Sequence, residues 1–261
     1  MLTLLINKFK KVLILLIAAA MVLATTVSHA DDYIKYRVIE NNYSIKQASN
    51  VTAPRQCEVV IRVGEYQGKA GKRIYINSQT VRIPDDIPIR NDHDGKGFYI
   101  SEWDINMKEA KALVKELRAR GVNATLQTSY NRSTDLNAAG KIANKSNPYL
   151  YISLHHNYYA SDSKGYFAVY NPGDKLGEHV ANRLSNSIKY NGKVPQNCNQ
   201  HNTGYIGELN EINPSITPVL MELGFFSNPE ELEIICSDKY VEYVSTNLSN
   251  EIVKILNTEY R

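Results

Sequence analysis

The sequence predicts an α/β fold, a central sheet of buried strands covered by helices on both faces. Three observations carry this expectation. Short apolar, β-favouring runs recur at residues 57–63, 149–154 and 218–223. Runs that are apolar at nearly every position are buried on both sides. Between and after them lie segments with helical spacing, the clearest at 104–120 and 238–256. Polar groups also collect where the runs stop: Gly64-Glu65, His155-His156-Asn157 and Glu222. In open α/β sheets, ligands bind just outside the carboxyl ends of the strands.

The first residues have a different character. Lys8, Lys10 and Lys11 precede an uninterrupted stretch of apolar and small residues at 12–23, and Ser28-His29-Ala30 precedes Asp31-Asp32. A basic start, an apolar middle and small residues before a polar boundary make a secretory signal peptide, residues 1–30. The apolar stretch is short for a bilayer span. Cleavage after Ala30 is therefore expected over a retained anchor, with no stable membrane insertion afterwards and a destination in the periplasm or outside the cell. The formal net charge is +3. Those three lysines are the only ionised side chains before Asp31, so the mature chain is close to neutral. Net charge thus gives no support to a nucleic-acid or polyanion partner.

Residues 31–56 read as an N-terminal extension, and 57–261 as one domain with a sizeable core. The chain has three cysteines, Cys57, Cys198 and Cys236. An odd number permits at most one internal bridge, and the spacing matches no zinc ribbon. The spacing assigns no particular disulfide, and Cys236, after Ile234-Ile235, is expected to pack.

Within the domain, 57–63 is the first strand. Residues 73–77 form a possible second, after the glycine turn at 68–71. Residues 84–97 read as a loop rich in Pro, Asp and Gly that contains His93. In the helix at 104–120, Ile105, Leu113, Val114 and Leu117 make one buried stripe. Ser101 or Asp104 can cap it, and Gly121 follows its end. A strand at 123–127 and a helix at 135–144 lead to the strand at 149–154. A strand at 165–170 and a helix at 176–190 follow, the helix with Leu184 and Ile188 on one face. The strand at 218–223 precedes the closing helix at 238–256, with Val241, Val244, Leu248, Ile252 and Ile255 inward.

Glu65, Glu102, His155 and Glu222 are the groups whose chemistry could converge. A catalytic metal takes three protein ligands and keeps one position open, with a carboxylate nearby to accept a proton from water. A glutamate inside Val219-Leu220-Met221-Glu222-Leu223 is costly to bury without a task or a partner. A salt bridge would be the plain explanation for Glu222, and strand termination for His155 and His156. Spacing alone leaves both readings open.

Longer motifs weigh on that choice. Glu102-Trp103-Asp104-Ile105-Asn106, then Ile142-Ala143-Asn144 with Ile152-Ser153-Leu154-His155-His156-Asn157, and finally Pro218-Val219-Leu220-Met221-Glu222-Leu223-Gly224-Phe225-Phe226-Ser227-Asn228 resemble, in order and spacing, the signatures of the type 3 N-acetylmuramoyl-L-alanine amidases. The likeness runs from about Cys57 to the C-terminus. It implies a twisted, mostly parallel sheet and hydrolysis of the amide between N-acetylmuramic acid and L-alanine in peptidoglycan. It also implies one zinc ion held by His, Glu and His. Matched residue by residue, Glu102 and His155 would be the second and third ligands. Glu222 would be the catalytic carboxylate, and Asn157 and Asn106 would help to shape the site and bind substrate. Peptidoglycan is then the partner, a monomer the expected form, and the cell wall the place of action.

One position departs from the family. Its first motif carries a histidine where this chain has Ile61-Arg62-Val63-Gly64-Glu65. Glu65 can be the first ligand, since carboxylates bind zinc at distances similar to imidazole. His93 could instead complete the shell. A third reading is a degenerate site in a protein that binds cell wall or regulates its turnover. A zinc peptidase with another amide substrate is a further alternative. An active site with Glu65 as ligand ranks first.

Overall fold

The computed structural model describes residues 55–65, 73–76, 81–91, 95–128, 136–188, 192, 195–197, 200–201 and 206–261. All of these lie in one compact unit, Thr52–Arg261. The signal peptide, the extension up to residue 54, His93 and Cys198 fall outside the described residues.

The main sheet has the strand order β5-β1-β6-β9-β7-β8 among the described residues. β1 is Val59–Val63, β5 Ala124–Gln127, β6 Leu150–Asn157, β7 Phe167–Tyr170, β8 Gln196–Asn197 and β9 Thr217–Phe225. β5, β1, β6 and β9 run parallel, and β7 lies antiparallel to β9. The sheet is thus mixed and mostly parallel, as expected. Its two central strands, β6 and β9, contain the apolar runs 149–154 and 218–223 singled out in the sequence. Every residue of β9 is buried, as is every residue of β6 before Asn157.

β6 extends beyond the expected 149–154. Its partner β9 keeps register with it through His155↔Glu222 and, after a bulge, Asn157↔Phe225. His155 and His156 therefore sit within the strand and not in a loop after it. Continued pairing, which local sequence does not report, keeps them there.

Alternation sends the two sides of the strands into different layers. Ile61, Ile152, Leu154, Val219 and Met221 pack with Leu113 and Leu117 of α1 (Glu102–Ala119) and with Val244, Leu248 and Ile252 of α6 (Asp238–Ile255). Val60, Tyr151, Leu220 and Phe225 pack on the other side, with Ala143 of α2 (Leu136–Ser146) and Leu209 of α4 (Gly207–Asn210). α3 (Lys175–Ser187) adds Val180 and Leu184 to the first layer. Truncating one of these fully buried residues to Ala would cost about 2–5 kcal/mol.

Several elements were not anticipated, β8 among them. The loop expected at 84–97 contains β3 (Arg90–Asn91). It pairs with β4 (Phe98–Ser101), which also pairs with β2 (Arg73–Tyr75) in a small antiparallel sheet. α5 (Pro229–Cys236) follows β9 directly, with Asn228 accepting hydrogen bonds from the N–H groups of Glu230 and Glu231. α4 is a single short turn.

β4 delivers the chain straight into α1. Ser101 holds the N-cap position without a side-chain cap bond. Asp104, the other capping candidate, is gripped by Arg90 through two bonds of 3.0 and 2.8 Å. That pair ties β3 to the first turn of α1, where the helix dipole also favours a carboxylate. Gly121, at φ +77°, ends the helix in the left-handed conformation that glycine adopts without strain. Cys57 and Cys236 are both buried free thiols, and burial pushes the Cys236 thiol up to about 12.

Candidate metal centre

β1 ends against β6, and a glycine makes that possible. The Gly64 N–H donates to the Leu154 carbonyl at 2.9 Å. A Cβ at Gly64 would stand 2.4 Å from the His155 ring and from that carbonyl. Glycine thus lets the strand end lie flat on the imidazole. The next residue, Glu65, has φ +64°, an uncommon conformation for a residue with a side chain.

Glu102 is the first residue of α1 and is fully buried. Its Oε1 accepts from the backbone N–H of His156 at 3.1 Å and from Asn106 Nδ2 at 3.2 Å, one helical turn along. The same oxygen lies 3.1 Å from His155 Nδ1. Asn106 also donates to the Gly64 carbonyl at 3.2 Å, and its Oδ1 accepts from His156 Nδ1 at 2.7 Å. Asn106 was expected to bind substrate. It is wholly buried, and it joins α1, β1 and β6 behind Glu102, which makes it a brace for that carboxylate. Asn157 is half-buried. Its Oδ1 accepts from the Tyr158 N–H at 2.8 Å and its carbonyl from the Phe226 N–H at 3.0 Å.

Glu65, Glu102 and His155 come together. One ligand atom from each lies within 4.8 Å of the others. Two carboxylates and an imidazole suit a divalent cation of the zinc or manganese kind. The Glu102–His155 spacing of 3.1 Å is also close to the roughly 3.3 Å that separates two donors on one tetrahedral zinc. The residues present therefore fit a metal. Glu222 lies in register with His155 on the adjacent parallel strand, so both side chains leave the same face of the sheet.

One carboxylate was missed. Glu208, on α4, is buried and lies 3.1 Å from His155 Nε2 through its Oε1. Its Oε2 accepts from the Tyr151 hydroxyl at 3.3 Å and lies 3.7 Å from Arg62 Nε. A signal did exist. Arg62 stands in the otherwise apolar run Val59-Val60-Ile61-Arg62-Val63 and is fully buried, and a buried charge calls for a counter-charge.

His155 is held between two carboxylates. Burial alone would lower its pKa, but the hydrogen bonds and charges of Glu102 and Glu208 outweigh burial and raise it to about 10. Burial alone would raise the pKa of Glu208. The hydrogen bond and charge of His155, with the charge of Arg62, hold it at about 2. A raised histidine pKa contributes stability that is full below about 6.5 and is lost as pH rises through about 10. A depressed carboxylate pKa contributes stability present above about 4.5 and lost as pH falls through about 2. Metal-stripped protein should therefore melt highest between about pH 4.5 and 6.5 and lose several degrees by pH 10. Thermal melts in chelator across that range check this, and His155→Gln should flatten the alkaline arm.

Among the described residues, His179 and His201 do not join the centre. His179 lies on α3 with Nε2 3.4 Å from Glu259, and the His201 ring packs 5.1 Å from that of Phe167.

The model of the N-acetylmuramoyl-L-alanine amidase family matches residues 91–254. The chain belongs to that family. It is a peptidoglycan hydrolase of the class that cleaves the amide between N-acetylmuramic acid and L-alanine. The matched stretch contains Glu102, His155, Glu208 and Glu222 and begins after Glu65. None of the curated proteins matches the chain. Among solved structures, it is similar to an N-acetylmuramoyl-L-alanine amidase from Clostridium difficile 630, with 18% identity over 80% of this chain and 100% of that one, at a TM-score of 0.57. It is similar to the CwlD amidase of Clostridioides difficile, solved in complex with the GerS lipoprotein, with 19% identity over 78% and 100% at 0.56. The catalytic domain of CwlV from Bacillus (Paenibacillus) polymyxa var. colistinus gives 17% identity over 78% and 99%, also at 0.56. At these identities the likeness bears on the fold, and it agrees with the amidase α/β sheet described above.

Proposed function

We propose that this amidase holds one zinc ion on Glu65, Glu102 and His155 and uses Glu222 as its proton-transfer group. The observation that carries the reading is the convergence of Glu65, Glu102 and His155 from three separate segments, beside a glutamate in register with the histidine. When bound, the ion would polarise the amide carbonyl and acidify the attacking water. Glu222 takes the proton that water loses as its oxygen bonds to the carbonyl carbon. It returns that proton to the amide nitrogen as the C–N bond breaks. The products are the lactyl carboxylate of muramic acid and a free L-alanine amino group. Asn106 and the His156 N–H hold Glu102 in place, and the Gly64 contact holds the strand end that carries Glu65.

Action on the cell wall agrees with export. Lys8 to Lys11, the apolar stretch and Ala30 support a signal peptide cleaved before Asp31. Release into the periplasm or beyond the membrane, as a monomer, completes the reading. Among the described residues no helix is long and apolar enough to cross a membrane.

Zinc-loaded mature protein should release new L-alanine amino termini from purified peptidoglycan without new reducing sugar ends. Chelator should stop this, and added zinc should restore it. A metal-loaded protein that binds peptidoglycan but releases no amino termini would replace the enzyme with a wall-binding protein. Release of other amino termini would point to a peptidase instead.

A further inference from the structure

We propose that Glu208 is a positioning residue of the metal centre. It is the carboxylate that holds the Nε2–H of His155 and so turns Nδ1 toward Glu102 and Glu65. The inference rests on the metal reading above and assigns a task to groups that reading leaves idle: Glu208, Arg62 and Tyr151.

The geometry is two-sided. Both ring nitrogens of His155 meet carboxylate oxygens at 3.1 Å, Nδ1 with Glu102 and Nε2 with Glu208. Glu102 belongs to the donor cluster with Glu65 and meets the ring at Nδ1, so the proposal places Nδ1 on the metal side. Nε2 points back toward α4. A neutral imidazole has one N–H and one lone pair, and the group bonded to one nitrogen decides which is which. Glu208 accepts the proton-bearing side and leaves the lone pair of Nδ1 facing the cluster. A carboxylate in that place also makes the ligating nitrogen more basic.

The chain goes to some length to put this one side chain there. α4 is four residues long, and its backbone is tied down on several sides. Asn144 Nδ2 donates to the Glu211 carbonyl at 2.7 Å, and Asn171 Nδ2 donates to the Leu209 carbonyl at 3.1 Å. Gly140 of α2 lets the Glu208 carbonyl approach to where a Cβ would be 2.6 Å away. Leu209 fixes the turn in the core. On the sheet, Tyr151, Ser153 and His155 leave the same face of β6, and Glu208 spans the first and third of them. Arg62, in register with Ser153 on β1, lies 3.7 Å from Glu208. Its positive charge balances Glu208, so the carboxylate can be buried behind the histidine without adding net negative charge to the centre. This accounts for an arginine inside an apolar strand.

The test uses the full chain purified with zinc, alongside Glu208→Gln, Glu208→Ala and His155→Ala. Zinc affinity is measured by chelator competition. The ring proton is located by nitrogen-15 NMR of the histidine side chains in zinc-loaded protein. The parent should show His155 protonated at Nε2, with slow exchange of that proton. Glu208→Ala should weaken zinc by about 10- to 100-fold and speed the exchange. Glu208→Gln, a near-isosteric neutral acceptor, should recover part of both, and it keeps the test decisive if the alanine variant does not fold. A parent that binds zinc, with both readouts unchanged in Glu208→Gln and Glu208→Ala, would reduce Glu208 to a counter-ion for Arg62 and overturn the proposal alone. Zinc bound through Nε2, with Glu208 as a direct ligand, would also overturn it. A parent that binds no zinc would sink the metal reading first, and this inference with it.

Discussion

Glu222→Gln is expected to lower turnover on peptidoglycan by about 10²- to 10⁴-fold while leaving fold and bound zinc intact. Glu222 lies in a strand whose nine residues are all buried, so the carboxylate is costly to keep there without a task. Its register partner is His155, yet it is not one of the three clustered donors. A group placed beside the donors and outside their set is suited to moving a proton. Glutamine keeps the volume and a hydrogen-bonding oxygen but cannot hold the proton that water loses. His155→Ala makes the contrast, because it should lose both zinc and turnover. Zinc content and kcat measured on the two variants separate the roles. Zinc lost from Glu222→Gln and kept in His155→Ala would show the roles reversed.

Much of this architecture was legible in the sequence, for a physical reason. The strands of a mostly parallel sheet are buried on both faces, so β1, β6 and β9 stand out as apolar runs. α1 and α6 stand out by periodicity, and the structure buries the residues assigned inward, including Leu113, Leu117, Val244, Leu248 and Ile252. Glu65, Glu102, His155 and Glu222 stood out together because strand ends and a helix start hold chemistry in this kind of sheet, and their separate roles came from the resemblance to the amidases. What stayed hidden depends on partners far along the chain. β6 continues to Asn157 only because β9 continues beside it. α4 has four residues in a loop rich in Asn, Gly and Glu, too short to show any period. Glu208 gains its meaning from a histidine 53 positions earlier. Arg62 was the visible clue, since a charge in an apolar strand announces a partner without saying where that partner lies.

Glu65→Gly is expected to abolish tight zinc binding while leaving the metal-free protein at least as stable as the parent. Glu65 sits at φ +64°. A side-chain-bearing residue there costs about 1–2 kcal/mol relative to its preferred conformations, and glycine does not incur that cost. A chain that keeps a glutamate in such a place, directly after Gly64, gives up stability at a functional position. In the proposed centre the carboxylate is one of three donors, so its loss should weaken zinc by more than the roughly 10- to 100-fold that a change behind a ligand costs. Glu65→Ala should weaken zinc equally without the gain in stability, because it keeps a Cβ. Glu65→His restores three donors but replaces a charged oxygen with a neutral nitrogen, which lowers the net donor charge from −2 to −1. The histidine variant should therefore favour zinc over manganese more strongly than the parent does. It should also show higher amidase activity near neutral pH, since less of the ion's charge is cancelled by its ligands. Zinc and manganese affinities, melting temperatures of stripped protein and rates of amino-terminus release decide the matter across the four proteins. If Glu65→Gly and Glu65→Ala bind zinc as tightly as the parent, Glu65 is not a ligand, and the shell is completed from elsewhere in the chain or by water.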